Sequence, residues 1–325
     1  MFNWSQQGDF IRSGQERSLL FIASIMSFLC LKPVVGRAVA AMFSYAGVMW
    51  MLRDYPVHGL QHLLFFLSAT VVAYFLARER SLDKILTYLG VFQACIGIAE
   101  WSGINLWGYA NGWEQGKPTG TFGHETMLGC FLAATLAPAL FSRRYAASGV
   151  ILACALMTGS TMTLVSVVTV LLLFMTKEFG ARSAAVVLAG LGIAAGLFFF
   201  INPESTWFSS TYRTVFWQMG VEQFWKHPIF GSGPGYWLDN APIVYGRRVT
   251  HLHNEFLELV VEYGAIGGVF GLSAILGWLW RFRLTWDYVF CAAILVNCIG
   301  NFPLHIAGIA PLFLMAWVVG LRRFR

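Results

Sequence analysis

The chain has 325 residues, of which 57% are hydrophobic and 12% are charged, and its mean hydropathy is +0.63. A soluble domain carries roughly 25% charged residues, so this composition excludes an ordinary soluble protein and indicates an integral membrane protein. The net charge of +6 comes largely from basic residues between apolar runs. It therefore reports membrane orientation and not nucleic-acid binding.

The apolar runs predict an all-α, polytopic bundle that forms one membrane domain over residues 1–325. Several runs reach the roughly 20 residues that a helix needs to cross a bilayer, and period-two alternation, which would indicate strands, is absent. We expect about 11 spans, at 18–34, 36–52, 57–77, 84–100, 124–141, 146–159, 160–176, 184–202, 254–280, 286–300 and 305–321. If these spans alternate, all clusters of Lys and Arg fall on one side, which is then cytoplasmic.

Alternation places two long polar segments on the outer, periplasmic face, at 101–123 and 203–253. Residues 209–225 begin with cap-type residues and keep apolar groups near helical spacing, which predicts an amphipathic helix on the membrane surface. The glycine-rich run 231–235 predicts a tight turn that returns the loop over the bundle. Nucleotide sugars are not available on this face, so an enzyme there needs an activated donor carried by the membrane.

A histidine-bearing loop leads into an apolar helix near residue 254. His251 and His253 precede Asn254, a residue type that caps helix N-termini. Three carboxylates follow at i, i+3 and i+7, namely Glu255, Glu258 and Glu262. This spacing predicts one polar stripe that faces the bundle interior. Ionisable groups at membrane depth are costly and usually mark a functional site.

Five short motifs occur in order along the chain. They are Gly120-Thr121-Phe122-Gly123-His124, Arg213 with Trp217, His227-Pro228 with Gly231–Gly235, His253-Asn254 followed after nine residues by Gly264-Ala265-Ile266-Gly267, and Asn301-Phe302-Pro303-Leu304-His305. Together they resemble the O-antigen ligase and Wzy polymerase superfamily. The glycines at 264 and 267 are expected to let another helix approach closely.

The resemblance implies a multi-pass glycosyltransferase of the bacterial inner membrane whose site faces the periplasm. Its donor would be an undecaprenyl-diphosphate-linked glycan, and its acceptor either lipid A-core or a lipid-linked glycan. The family implies inversion at the anomeric carbon, with no metal and no cofactor. Other expected contacts are membrane lipids and not nucleic acid.

Site residues carry over position by position. His253 matches the family histidine and suits a general base, because imidazoles titrate near neutral pH. Arg213 matches an arginine that would hold the donor diphosphate. Glu262 matches a catalytic-site glutamate. Expected substrate-binding residues are Arg247, Arg248, His251, Asn254, Glu258, His124 and Trp217. A metal bound by His251, His253 and Glu255 is disfavoured, because no further ligands have suitable spacing.

Three departures from the family pattern keep alternatives open. Residues 158–160 lack the arginine that follows them in many relatives, Asn301 replaces an aspartate, and residues 124–126 replace Pro-Asn. Either Arg247 or Arg248 compensates for the missing arginine, or the substrates differ, or catalysis is lost. A non-catalytic relative that modulates a polymerase is therefore an alternative. Another is a transporter or flippase, which would show inverted repeats and broken helices.

Overall fold

The computed structural model describes residues 81–104, 116–183, 210–240, 242–244, 247–306 and 308–322, together with positions 69, 70, 73, 79, 185 and 186. The spans predicted at 18–34 and 36–52 lie outside these residues, as do nearly all of those at 57–77 and 184–202. Contacts divide the chain into two compact units. The first comprises residues 1–79, 215–281 and 304–321, and the second 80–214, 282–303 and 322–325.

The described part of the chain is mainly helical. In chain order its helices are α1 (Leu82–Trp101), α2 (Glu125–Phe141), α3 (Tyr145–Met157), α4 (Thr161–Phe179), α5 (Ser210–Lys226), α6 (Tyr236–Asp239), α7 (Glu255–Trp280), α8 (Trp286–Asn297) and α9 (Ala310–Arg322). Two-residue strands, β1 (Ile243–Val244) and β2 (Arg247–Arg248), pair antiparallel between α6 and α7. Residues Gly120–Phe122 and Pro303–His305 form single 3-10 turns.

These helices agree with seven predicted spans to within a few residues, with one clear shift. The span expected at 305 begins at Ala310, because Pro303–His305 turns before it. Among the described residues, three helices (α1, α4 and α7) are long and apolar enough to cross a membrane, and α2, α3, α8 and α9 are shorter apolar helices. The predicted amphipathic segment at 209–225 is helical as α5. Its periplasmic placement and the count of spans remain predictions.

Helix α2 forms the centre of the second unit. Every residue from Thr126 to Leu140 is buried, because α1, α3, α4 and α8 all pack against it. A Cβ at Gly129 would overlap the Thr163 side chain of α4, and one at Gly90 would press on Thr135. These glycines let helix backbones approach closely, as is common in membrane bundles.

Ion pairs join three helix ends at one end of this unit. Arg144, before α3, lies 2.9 Å from Asp83 at the start of α1, and Arg143 lies 3.5 Å from Glu178 at the end of α4. The basic residues Arg143 and Arg144, and Lys84 and Lys177 beside their acidic partners in the sequence, therefore lie at one end of the second unit. The opposite end carries the Gly120–Phe122 turn, the start of α4 and the end of α8.

The first unit packs α5, α6 and α7 around Trp237, Leu252 and Val261, all of which are buried. Five partly buried residues surround them: Phe216, Met219, Phe224, Tyr236 and Leu257. Gly220 of α5 faces Leu252 and Leu257 so closely that a Cβ would contact both. One face of α5 therefore packs inside this unit, whereas Val221 and Trp225 of the same helix are exposed.

Helix α7 is interrupted at Gly264, whose φ of 64° and ψ of −165° are not helical. The backbone groups released by the break pair with the preceding loop. The carbonyls of residues 261 and 262 accept hydrogen bonds from the N–H groups of residues 232 and 233, and the N–H groups of residues 265 and 266 donate to the carbonyls of residues 228 and 229. All four backbone groups therefore have hydrogen-bond partners, which buried backbone groups need.

The expectation that Gly264 admits another helix is therefore wrong. A Cβ at Gly264 would overlap the carbonyl of Ile229, and a Cβ at Gly231 would overlap that of Glu262. It is a loop, and not a helix, that approaches. Gly267 serves the same bend, since a Cβ there would overlap Tyr263 across the break. The predicted turn at 231–235 is present, with positive φ at residues 231, 233 and 235.

Candidate active site

The predicted carboxylate stripe is buried, with Glu255, Glu258 and Glu262 respectively 8%, 2% and 3% exposed. Two histidines meet it within the first unit. His251 Nδ1 lies 3.1 Å from Glu258 Oε1, and His305 Nδ1 lies 2.9 Å from Glu255 Oε2. His305 Nε2 is 3.6 Å from the same Glu258 oxygen. We call His251, Glu255, Glu258 and His305 the His–Glu cluster.

The second oxygens of two carboxylates in this cluster bind backbone. Glu258 Oε2 accepts from the N–H of Leu252 at 2.9 Å, and Glu255 Oε1 accepts from the N–H of Leu304 at 2.7 Å. The start of α7 thereby fixes both the histidine loop and the turn before α9. Burial lowers the pKa of His305, but the surrounding carboxylates outweigh it and raise that pKa to about 10.

Part of the His–Glu cluster also has the donor set of a metal site. The ligand atoms of His251, Glu258 and His305 all lie within 4.8 Å of one another. Glu255, at Nδ1 of His305, would orient the ring as an outer carboxylate does in zinc sites. The same atoms form a closed set of hydrogen bonds and ion pairs by themselves. The metal-type grouping uses Glu258 and His305, and not the His253 and Glu255 considered from sequence.

His253 sits beside this cluster in the chain but makes a different contact. Its backbone has a φ of 53°, in the left-handed region that few residues other than glycine adopt. The ring stacks on Phe216 of α5 with centroids 5.9 Å apart and planes inclined by 28°. The next residue, Asn254, caps α7 as predicted, because its Oδ1 accepts from the N–H of Leu257 at 3.0 Å. The imidazole therefore lies against an aromatic ring of α5, one residue before a capped helix start.

Glu262 binds the glycine-rich loop. Its buried carboxylate lies beside the backbone N–H groups of Gly235 and Trp237, where the loop enters α6. Together with the backbone pairs at the break, this places the loop against residues 261–266 of α7. Sequence reasoning placed Glu262 at the site but gave no sign of this partner.

Other predicted site residues are more scattered. His124 caps α2, with Nδ1 accepting from the N–H of Thr126 at 3.2 Å. The buried indole N–H of Trp217 has no acceptor among the described residues, so it is available to a ligand. Arg247 and Arg248 form β2, and their side chains lie outside the described part of the chain.

Arg213 belongs to the second unit, in the first turn of α5. Its Nη2 donates a long hydrogen bond, 3.5 Å, to Oδ1 of Asn301. Burial lowers the pKa of Arg213, although a guanidinium stays protonated in proteins. Arg213 and Asn301, which are 88 residues apart in the sequence and belong to different motifs, are therefore neighbours.

Lys117 was missed by sequence reasoning. Its side chain passes over Gly159, with Cε 3.4 Å and Nζ 3.9 Å from the position a Cβ would occupy. Gly159 lies in the 158–160 loop that leads into α4, where Ser160 Oγ caps the helix by accepting from the N–H of Thr163. A lysine therefore lies at the loop that lacks the expected arginine. The only signal in the sequence was a basic residue just before the Gly120 motif.

Residues 146–272 match a family model described as O-antigen ligase. The matched range contains Arg213, Trp217, the 231–235 glycines, His253 and the carboxylate stripe. No curated protein and no solved structure matches the chain significantly.

Proposed function

We propose, from the match of residues 146–272 to the O-antigen ligase family model, that the chain is a glycosyltransferase of the O-antigen ligase/polymerase superfamily in the bacterial inner membrane. It transfers a glycan from undecaprenyl diphosphate to a lipid A-core or lipid-linked glycan acceptor at the periplasmic face, without a metal. The family match carries this proposal. The placement of His253 at a capped helix start, against Phe216, supports it.

The proposed reaction is a single displacement. His253 takes the proton of an acceptor hydroxyl, and the oxygen attacks the anomeric carbon of the donor glycan. The bond from that carbon to the diphosphate oxygen breaks, and the electron pair leaves with undecaprenyl diphosphate. Attack opposite the leaving group inverts the anomeric carbon. A fixed imidazole favours this step, because orientation supplies part of the rate enhancement.

Arg213 stabilises the departing diphosphate in this scheme. A guanidinium can bind two phosphate oxygens at once and is the usual choice for such a charge. Lys117 supplies a second positive charge at the 158–160 loop, in place of the missing arginine. Its side chain over Gly159 supports this assignment.

The remaining residues bind or position. Trp217 offers its indole N–H to the glycan, and Arg247 and Arg248 contact the lipid diphosphate or neighbouring headgroups. The His–Glu cluster, through His251 and Glu258, positions the loop that bears His253. Because the carboxylate of Glu262 is buried beside the glycine-rich loop, we assign it a positioning role in catalysis.

Within the described residues, the break in α7 is the feature that favours a transporter, since transporters place unwound backbone at their substrate sites. Here, however, the carbonyls of Val261 and Glu262 and the N–H groups of Ala265 and Ile266 all pair with the 228–233 loop. None of these four groups is left for an ion or a substrate. The break therefore favours a joint between loop and helix, and the enzyme is the better-supported function.

Complementation of polymerase-null and ligase-null strains tests the proposal. Lipopolysaccharide ladders would be compared for the wild-type chain, His253→Ala, Arg213→Ala and the control Arg281→Ala, whose exposed side chain only bonds a carbonyl of its own helix end. Long chains restored in the polymerase-null strain alone indicate a polymerase. Glycan joined to lipid A-core in the ligase-null strain alone indicates a ligase.

The expected result is that wild type and Arg281→Ala restore one ladder and that the other two variants do not, at equal membrane levels. Activity of His253→Ala equal to wild type would remove His253 as the base. Purified wild-type chain that transfers no glycan from a lipid-linked donor in vitro, and restores neither strain, would reject the enzyme and leave the non-catalytic relative.

A further inference from the structure

Arg213 stands at the end of a buried chain of neutral hydrogen bonds inside the second unit. Arg213 Nη2 donates to Asn301 Oδ1, and Asn301 Nδ2 donates to Asn297 Oδ1 at 2.9 Å. Asn297 Nδ2 donates to Ser166 Oγ at 3.3 Å, and Ser166 Oγ donates to the carbonyl of Ala293 at 3.0 Å. We call Asn301, Asn297 and Ser166 the amide relay.

The relay has one direction. Each member donates toward Ala293 and accepts from the side of Arg213, so the amide oxygen of Asn301 must face the guanidinium. Ser166 and Asn297 are 0% exposed and Asn301 is 2% exposed. Buried amides hold such an arrangement firmly, because turning one around would leave donors and acceptors unpaired. The orientation of the Asn301 oxygen is therefore set by helices α4 and α8, and not by Arg213.

The relay contains no ionised group. Among the described residues no carboxylate forms an ion pair with Arg213, and its contact to Asn301 is a long one to a neutral oxygen. A neutral partner directs a guanidinium without cancelling its charge. A carboxylate at the same place would form a charge-assisted pair that competes with any anionic ligand.

We propose that the amide relay is a positioning device that aims Arg213 while leaving its full charge for a diphosphate, and that the uncharged residue at 301 determines how tightly the anion binds. This rests on the proposed function, since the anion is the diphosphate of the lipid-linked donor. Asn301 and Asn297 act through Arg213 and do not touch the reacting atoms.

Direct binding tests the relay without requiring transfer. The full chain in nanodiscs would be titrated with geranylgeranyl diphosphate, a short polyprenyl diphosphate. Arg213→Ala should weaken binding by about tenfold or more, as loss of a charge-assisted contact does. Asn301→Asp should also weaken binding by about tenfold at neutral pH, because the new carboxylate pairs with Arg213.

A pH series separates charge from damage to the fold. A new carboxylate has an ordinary pKa of about 3.9, and an arginine beside it lowers that value. The ratio of wild-type to Asn301→Asp affinity should therefore persist down to about pH 4 and shrink only as the pH falls below that value. Asn301→Leu removes the oxygen without adding charge, so its smaller loss should not depend on pH. The ratio cancels titration of the ligand itself.

The outcomes distinguish the two proposals. If Arg213→Ala binds as wild type does, Arg213 is not the diphosphate ligand and that part of the proposed function is wrong. If Arg213→Ala loses binding while Asn301→Asp binds as wild type does, only the relay is rejected. A loss in Asn301→Asp that matches Asn301→Leu at every pH would mean that position 301 acts through packing and would likewise overturn the relay.

Discussion

Nδ1 of His305 lies 2.9 Å from Oε2 of Glu255, and both residues are buried. The pair joins the turn before α9 to the first turn of α7 and so closes the His–Glu cluster. The carboxylates around His305 outweigh its burial and raise its pKa from 6.5 to about 10. The protonated form of His305 therefore stabilises this part of the first unit.

This proton gives stability a defined pH dependence. Because the folded-state pKa is above the unfolded one, the stabilisation is full below the unfolded value of about 6.5 and is lost as the pH rises through about 10. We expect the melting temperature to decrease as the pH is raised from about 6.5 to about 10. Thermal unfolding in detergent, followed by tryptophan fluorescence, measures it.

A substitution identifies the group responsible. His305→Gln keeps a donor for one carboxylate but does not titrate, so it should flatten the decline over that pH range. His124→Gln, whose side chain is 42% exposed in the other unit, should leave the slope as it is in wild type. A slope unchanged in His305→Gln would assign the pH dependence to another group.

Replacement of Gly264 by alanine should destabilise the first unit. A φ of 64° with a ψ of −165° is almost exclusive to glycine, and a Cβ would also overlap the carbonyl of Ile229. Backbone strain of this kind costs on the order of 1–3 kcal/mol before any overlap is counted. We expect a melting temperature several degrees lower, measured in the same fluorescence assay.

Gly277→Ala is the matched control in the same helix. A Cβ there meets only Arg281 Nη1 at 3.6 Å, an ordinary contact, and alanine favours helix by about 0.5–1 kcal/mol over glycine. The control should be neutral or stabilising. Equal effects of both substitutions would show that the break at Gly264 is not needed for stability.

The sequence predicts those parts of the molecule that depend on local pattern. The helix from residue 254 to 280, its Asn254 cap and its buried carboxylates follow from apolar run length and from spacing along one helix. Local spacing does not predict the partner of each carboxylate, because His305 lies 50 residues beyond Glu255 in the sequence. The neighbours of Arg213 and Gly159 also depend on long-range packing that no periodicity reports. The break at Gly264 is hidden because apolar residues continue through it.

Removal of metal ions tests whether the His–Glu cluster acts as an ion-pair network. We expect purified protein dialysed against EDTA to transfer glycan as fast as undialysed protein does, because the histidines and carboxylates of the cluster form hydrogen bonds and ion pairs with one another. The protein would also be measured for bound zinc by mass spectrometry. Activity lost on chelation and restored by Zn²⁺ in wild type, but not in His305→Ala, would instead make the cluster a metal centre.

Lys117 should contribute to donor binding through its charge. Lys117→Ala is expected to raise the KM for a lipid-linked donor by about tenfold, the effect of losing roughly 1.4 kcal/mol of charge-assisted binding. Lys117→Arg should retain most of the affinity, because an arginine over Gly159 keeps the charge and is the residue type that relatives place after this loop. Lys84→Ala, with its exposed side chain at the other end of α1, is the control and should have a wild-type KM. If Lys117→Ala and Lys84→Ala have the same kinetics, the second cation must come from elsewhere, with Arg247 and Arg248 the next to substitute.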